Sequence, residues 1–256
     1  GGIFLITFLF VFLGLLPFSV FVIQALKKAL KEKYNEPLLF LLVFASVYIG
    51  FFAVSSTKLP NYTVPSYPPL AVLIGYYLIN SKYSKSQTYS LLAFILITIL
   101  LAVGTYFGLK NEPAVSDLAY TGLSFLFLTA VGILALIFVK NTKRMIFTLF
   151  TGSFIFNLLF FYVLFPPIDK KNPVMQSLKL INKNKVVYYK NFNPAFAFYI
   201  KTPIKKVKNI ENLPVKTYII TRKKYLKELK HYKNLKILFI QKDLFEKKYT
   251  AVLKKQ

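Results

Sequence analysis

The chain has no cysteine, one histidine, two arginines (Arg144 and Arg222) and nine acidic residues. Without cysteine there is no disulfide framework and no thiolate metal site, and the redox compartment is not legible. A single histidine also excludes a histidine-rich metal centre. Charged residues make up 17% of the 256 and hydrophobic residues 55%, whereas a soluble domain carries about a quarter charged residues. The charge is also one-sided. Phe165 is followed by 23 Lys/Arg against 5 Asp/Glu, so +18 of the formal +25 lies in the tail. Such a division reads as two regions in different solvents. Nucleic-acid binding is disfavoured, because base readers lean on arginine forks. A lysine excess suits a domain beside anionic lipid, although a codon bias toward lysine produces the same composition.

What is present is a series of charge-free runs. Ile3–Leu26 is long enough to span a bilayer, which takes roughly 20 helical residues, and Pro17 predicts a kink in it. The chain opens Gly-Gly-Ile inside this run, without Met, a charged n-region or a small-residue cleavage site. It is therefore not read as a signal peptide, and an N-terminal part is expected to precede it. Further runs are Pro37–Val54, Pro65–Ile79 (a helix from about Pro69, tilted or partly re-entrant), Thr88–Leu109, Leu118–Val139 and Met145–Phe165, the last ended by Pro166 and Pro167. Lys27–Glu36, Asn80–Gln87 and Lys140–Arg144 together hold nine Lys/Arg, and the intervening loops hold only Lys58 and Lys110. Nine against two places the first set in the cytoplasm and Ser55–Pro69 and the tail outside. No Asp, Glu, Lys, Arg or His falls within the six runs, which speaks against an ion-coupled transporter. Asn157 reads as a helix–helix hydrogen-bonding residue.

The tail alternates. Asp169–Asn184 is a polar lead-in with an amphipathic patch at Met175–Ile181. Strands are expected at Lys185–Tyr189, Thr217–Thr221, Leu235–Ile240 and Tyr249–Leu253. Helices are expected at Asn193–Ile200, with Asn193 as N-cap and Pro194 in first position, and at Lys223–Tyr232. His231 reads as a surface residue, and the Lys223–Lys236 basic run as a solvated face or a lipid-headgroup contact. The expected fold is a polytopic α-helical membrane protein of about six transmembrane helices, residues 1–165, followed by a small extracytoplasmic α/β domain, residues 166–256.

The most informative stretch is Ser55–Pro69, SSTKLPNYTVPSYPP, a polar and proline-rich loop between apolar runs. Lys58 is its only charge. Tyr62 follows four residues later and can donate a phenolic hydrogen bond. Pro60 and Pro65 restrict φ around them. Ordinary interface anchoring, with lysine snorkelling and tyrosine at headgroup depth, gives the same residues.

Phe51–Ala71, FFAVSSTKLPNYTVPSYPPLA, resembles the FFSLS-x-x-KLP-x-Y-x-LP-x-x-P-x-LA signature of bacterial polyprenyl-phosphate-sugar-dependent glycosyltransferases. This is the group of the lipid A aminoarabinose transferase and the protein O-mannosyltransferases, within the C-type membrane glycosyltransferase superfamily. Gly14–Ser19, GLLPFS, is similar to the family's GxLPW(S) helix end, with Phe18 in place of Trp. The tail is similar to the family's C-terminal domain through Phe198–Tyr199, TYIIT and LKILFI.

The resemblance implies the C-terminal half of an inner-membrane, multi-pass enzyme of the cell envelope, acting in processes such as lipid A modification. Such an enzyme transfers a sugar from undecaprenyl or another polyprenyl phosphate to a lipid, protein or glycan acceptor. Lys58, Tyr62, Pro60 and Tyr67 would contact the donor, with Lys58 and Tyr62 at its phosphate, where rigid cationic and hydroxyl donors are needed. Phe51, Tyr67 and Tyr76 would line a prenyl groove. The family's catalytic Asp lies in a first extracytoplasmic loop that these residues do not match. Glu112 and Asp117 read as loop residues, so no catalytic residue and no metal ligand is assigned here. A general base, or carboxylates for a divalent metal where one is used, would come from the other half. Two further readings stay open: a non-enzymatic membrane anchor or assembly protein with an α/β module, and a transporter of lipid-linked saccharides.

Overall fold

In the computed structural model the described residues are 4–182 and 185–256. The first residue of the Ile3 run and the end of the lead-in at Asn184 lie outside them. Two compact units form: Gly1–Thr105 with Gly122–Leu159, and Tyr106–Thr121 with Phe160–Gln256.

In the first unit the opening run is broken. α1 (Leu5–Gly14) stops ahead of Pro17, which lacks the backbone donor that would continue the helix. A 3₁₀ turn (Phe18–Phe21) leads into α2 (Val22–Lys31), and Phe18–Lys31 leaves α1 at 115°. The kink expected at Pro17 is thus a sharp break. Ten residues rise only about 15 Å, half the hydrocarbon core. α2 is two-faced. Ala25 and Ala29 are buried, while Lys27, Lys28 and Lys31 surround an exposed side. Its Gln24 Nε2 donates to Ser90 Oγ at 2.7 Å and Ser86 Oγ at 2.8 Å.

α3 (Glu36–Val54) starts where Asn35 Oδ1 accepts from Leu38 N at 3.3 Å, with Pro37 in the first turn, a favoured arrangement for a helix start. A 3₁₀ turn (Pro60–Ser66) precedes α4 (Tyr67–Asn80), which has 14 residues. α5 (Lys85–Lys110), a 3₁₀ segment (Ser116–Phe125), α6 (Leu126–Ile137) and α7 (Thr142–Leu159) follow. Gly152 faces Val131, and Gly132 faces Ile95 and Phe94; an added Cβ would lie 2.5 Å from Val131, 2.8 Å from Ile95 and 2.9 Å from Phe94.

Among the described residues four helices are long and apolar enough to cross a membrane: Glu36–Val54, Lys85–Lys110, Ser116–Ile137 and Thr142–Lys170. The bent pair makes a fifth if counted as one span. Large apolar side chains such as Phe147 (70% exposed) and Phe150 (61%) point outward from these helices, as a lipid-facing surface requires. Pro166 and Pro167 do not end the last helix. A π-helical turn (Phe160–Leu164) carries it into α8 (Phe165–Lys170), whose first turn accepts proline because its N–H groups need no helical partner.

In the second unit α9 (Pro173–Leu178), β1 (Val186–Tyr189), α10 (Ala195–Ile200), β2 (Lys205–Val207), β3 (Tyr218–Arg222), a 3₁₀ turn (Lys223–Tyr225), α11 (Leu226–Leu229), β4 (Leu235–Lys242) and β5 (Tyr249–Lys255) follow in turn. The sheet order is β2-β1-β3-β5-β4. β1 is parallel to β2 and β3, and β5 is antiparallel to β3 and β4. Side chains alternate between the two faces of a strand, and this alternation builds a core on each face. Ile220 and Val252 meet Val174, Ile181, Phe196 and Ile200 on one face. Ile219, Ala251 and Leu253 meet Ile210, Leu226 and Leu229 on the other. The result is a three-layer α/β unit. The four expected strands are present, and the short exposed β2 is an addition. The helix expected over Lys223–Tyr232 is one 3₁₀ turn and one α turn.

Candidate functional site

The loop after α3 is held by its own side chains. Ser55 caps α3, and Lys58 Nζ donates to the Ser55 carbonyl at 2.5 Å. The lysine thus serves an orphan helix carbonyl, which leaves two of its three ammonium hydrogens for another acceptor. Tyr62 N donates to Leu59 O at 3.1 Å, Thr63 Oγ1 to Pro60 O at 2.8 Å and Ser66 Oγ to Thr63 O at 2.6 Å. Pro60 is therefore exposed at the surface while its carbonyl anchors the turn.

The two tyrosines of the loop behave differently. The Tyr67 hydroxyl donates to Phe10 O at 3.2 Å and sits 3.0 Å from Thr63 Oγ1. Its ring covers Gly14, where an added Cβ would lie 2.1 Å from the hydroxyl oxygen. Gly14 and Tyr67, more than fifty residues apart in the chain, thereby pack together. Sequence reasoning did not foresee that contact; the glycine immediately before the break was its only local sign. The Tyr62 hydroxyl, in contrast, has no hydrogen-bond partner among the described residues, and the Tyr62 ring rests on Phe52 at 5.1 Å.

That ring closes an aromatic track. Phe40, Phe44, Tyr48 and Phe52 recur every four residues on one side of α3, with successive centroids 6.1, 6.1 and 5.1 Å apart. The spacing puts them on one helical face. With Val43, Val47 and Phe51 they line an apolar groove of about 540 Å³. The period of four is legible in the sequence itself. A second apolar groove, about 660 Å³, lies among α1, α2 and α3 and includes Phe8, Phe12, Ile23, Ser46 and Gly50. Ser19 also borders it, its buried hydroxyl without a partner among the described residues. Phe51 thus lines a groove. Tyr76 does not join it: its hydroxyl donates to Glu32 Oε2 at 2.6 Å beside Lys28, at the far end of α4. The strong carboxylate acceptor at the end of α2 draws it there.

The two loop carboxylates are engaged in the second unit. Glu112, 6% exposed, takes Lys242 Nζ at 2.8 Å and the Phe245 N–H at 3.2 Å. Asp117 takes Lys171 Nζ at 3.0 Å. Among the described residues no three His, Cys, Asp or Glu side chains gather as metal ligands.

No family model matches the chain. Over 120 residues it is 31% identical to the undecaprenyl phosphate-alpha-4-amino-4-deoxy-L-arabinose arabinosyl transferase 2 of Pseudomonas fluorescens, a match covering 46% of this chain and 21% of that protein. Over 134 residues it is 32% identical to the arabinosyl transferase 1 of Proteus mirabilis, covering 48% and 24%. The fold matches the crystal structure of ArnT from Cupriavidus metallidurans in the apo state, with a TM-score of 0.72 at 15% identity over 99% of this chain and 52% of that one. The same protein bound to undecaprenyl phosphate matches with a TM-score of 0.71 at 16% identity over 98% and 52%. The chain thus spans about half the length of the solved structures it matches and less of the curated relatives. In sequence over nearly half its length, and in fold over almost all of it, the chain is similar to part of the bacterial undecaprenyl-phosphate aminoarabinose transferases.

Proposed function

We propose that this chain is the C-terminal, donor-binding half of a membrane glycosyltransferase that uses a polyprenyl-phosphate sugar. Residues 1–165 supply the lipid-binding membrane part, and residues 166–256 form the extracytoplasmic domain. The donor phosphate lies against the two remaining Lys58 hydrogens and the Tyr62 hydroxyl, and the prenyl chain runs along the aromatic face of α3. Pro60 and Tyr67 position the loop. The observation that carries this reading is the setting of Tyr62: its ring ends the aromatic track, and its hydroxyl has no partner among the described residues. The similarity to proteins named as undecaprenyl-phosphate arabinosyl transferases supports the donor class.

Chemically, the site stabilises the phosphate as it leaves, when an acceptor hydroxyl or phosphate attacks the anomeric carbon. A phosphate accumulating charge is held best by cationic and hydroxyl donors already in place. The general base is assigned outside this chain, since Glu112 and Asp117 are committed to lysines. The acceptor is a lipid, protein or glycan.

The test is thermal protection of the detergent-solubilised chain by undecaprenyl phosphate. Saturable protection is expected, with affinity about tenfold weaker in Lys58→Ala and a smaller loss in Tyr62→Phe, as for removal of charge-assisted and neutral hydrogen bonds. Lys110→Ala removes the same charge elsewhere and should bind as the parent does. Equal losses from Lys58→Ala and Lys110→Ala, or no protection of the parent, would return Lys58 to capping α3 and leave the membrane-anchor reading.

A further inference from the structure

One end of the sheet in the second unit carries a site distinct from the loop after α3. β1 and β3 are parallel, so their carboxyl ends open at the same end of the sheet. β5 is antiparallel to β3 and begins there, and the β4–β5 turn returns there too. Lys223 and Lys224 directly follow β3, Lys227 lies in α11, Lys247 and Lys248 lie in the β4–β5 turn, and Tyr249 opens β5. These six exposed side chains, with the loop after β1, line a pocket of about 620 Å³.

The floor of this pocket is neutral and the rim is not. Arg222 at the floor is buried and paired with Asp243. Asp243 also accepts from Thr250 Oγ1 at 2.6 Å and Asn193 Nδ2 at 3.1 Å, so its charge is taken. Lys248 holds Glu246 at 3.0 Å. Lys223 lies over the Tyr249 ring at 4.5 Å and Lys224 over Tyr225 at 4.8 Å. Among the described residues no carboxylate pairs with Lys223, Lys224, Lys227 or Lys247. Four uncompensated ammonium groups around one concavity focus positive potential inside it. Lysines act there as point charges that accept a phosphate from many directions. A phosphate monoester brings close to two negative charges and three acceptor oxygens.

The same turn is tied to membrane-proximal chain. Lys242 and the Phe245 N–H bind Glu112, which lies in the loop between the apolar helices Lys85–Lys110 and Ser116–Ile137. We propose that this pocket binds a phosphate monoester, and that a lipid headgroup presents it. The proposal is independent of the Lys58 reading.

Isothermal titration of the whole chain in neutral detergent tests it, using dihexanoyl phosphatidate in one arm and inorganic phosphate in the other. Saturable phosphatidate binding is expected, weakened at least about tenfold in the Lys223→Gln/Lys227→Gln/Lys247→Gln triple variant, as for loss of several charge-assisted contacts. A Lys205→Gln/Lys206→Gln/Lys208→Gln triple, which removes equal charge from the exposed β2 region, should bind as the parent does. Inorganic phosphate binding more weakly than phosphatidate supports the lipid source. Equal affinity for the two keeps the phosphate site and overturns that source. Matching losses in the two triples, or no saturable binding of either anion, overturns the site.

Discussion

At the scale of single residues, Gly14 and Tyr67 explain why the loop after α3 has a defined shape. The Tyr67 ring fills the space a side chain at position 14 would need, and its hydroxyl is tied to Phe10 and Thr63. Gly14→Ala must push the ring away and break the Phe10 contact. Overpacking of this kind costs about 1–3 kcal/mol. A lowered unfolding midpoint in detergent is the expected result, with the Gly14→Ala/Tyr67→Ala double variant losing less than the sum of its two single variants, because both act on one contact. Additive losses would mean the ring does not depend on Gly14. Tyr62 stands in the opposite position, since its hydroxyl has no described partner, and its loss should be felt in donor binding and little in stability.

At the scale of elements, β1 and α11 are joined by one small polar staple. Glu228 Oε2 takes Lys190 Nζ at 2.7 Å and the Tyr189 hydroxyl at 2.9 Å. These contacts, the Lys190 hydrogen bond first and Tyr189 next, hold the Glu228 carboxyl below the usual carboxylate range. A carboxyl with a depressed folded pKa adds stability above its unfolded pKa and loses it as pH falls through the folded one. The midpoint difference between the parent and Glu228→Gln should therefore be present at neutral pH and fade below about pH 4, near the unfolded carboxylate value. A difference that persisted at low pH would mean the staple acts through packing. The short helices of this unit follow the same local logic. Asn193 Oδ1 accepts from Ala195 N at 3.1 Å at the head of α10, and Lys201 ends that helix in the left-handed region at φ 60°.

At the scale of the molecule, the question is which loops share a side of the membrane. Gln24 in α2 bonds Ser86 and Ser90 in α5, and Glu32 beyond α2 bonds Tyr76 in α4. The basic segments around Lys28 and Lys85 therefore lie together, as the charge asymmetry requires. Lys242 of the tail pairs with Glu112, which follows α5 at the end away from Lys85. The charge asymmetry of the loops predicts a tail on the side opposite the basic loops. In sealed vesicles, a membrane-impermeant amine reagent read out by peptide mass analysis should label lysines of 166–256 from one face. Lys27, Lys82 and Lys140 should label only from the other. Labelling of both sets from the same face would refute this topology.

Much of this protein was determined by the order of its residues alone. Charge-free runs, basic loops and period-two strands are local signals, because apolar burial and backbone hydrogen bonding act over a few residues. They were enough for the long apolar helices, for the strands at Val186–Tyr189, Tyr218–Arg222, Leu235–Lys242 and Tyr249–Lys255, and for the likeness carried by Ser55–Pro69. Tertiary structure decided the rest. The 115° break at Pro17 depends on what α1 and α2 pack against, so a proline could announce a kink but not its size. Pro166 and Pro167 were read as a stop, yet a π turn ahead of them let the helix continue. Tyr62, Tyr67 and Tyr76 are chemically alike in the sequence. Only the folded chain decided that one meets Glu32, one closes over Gly14, and one rests on Phe52 with its hydroxyl unpartnered among the described residues, because a phenol's role is set by the partners that distant segments bring to it.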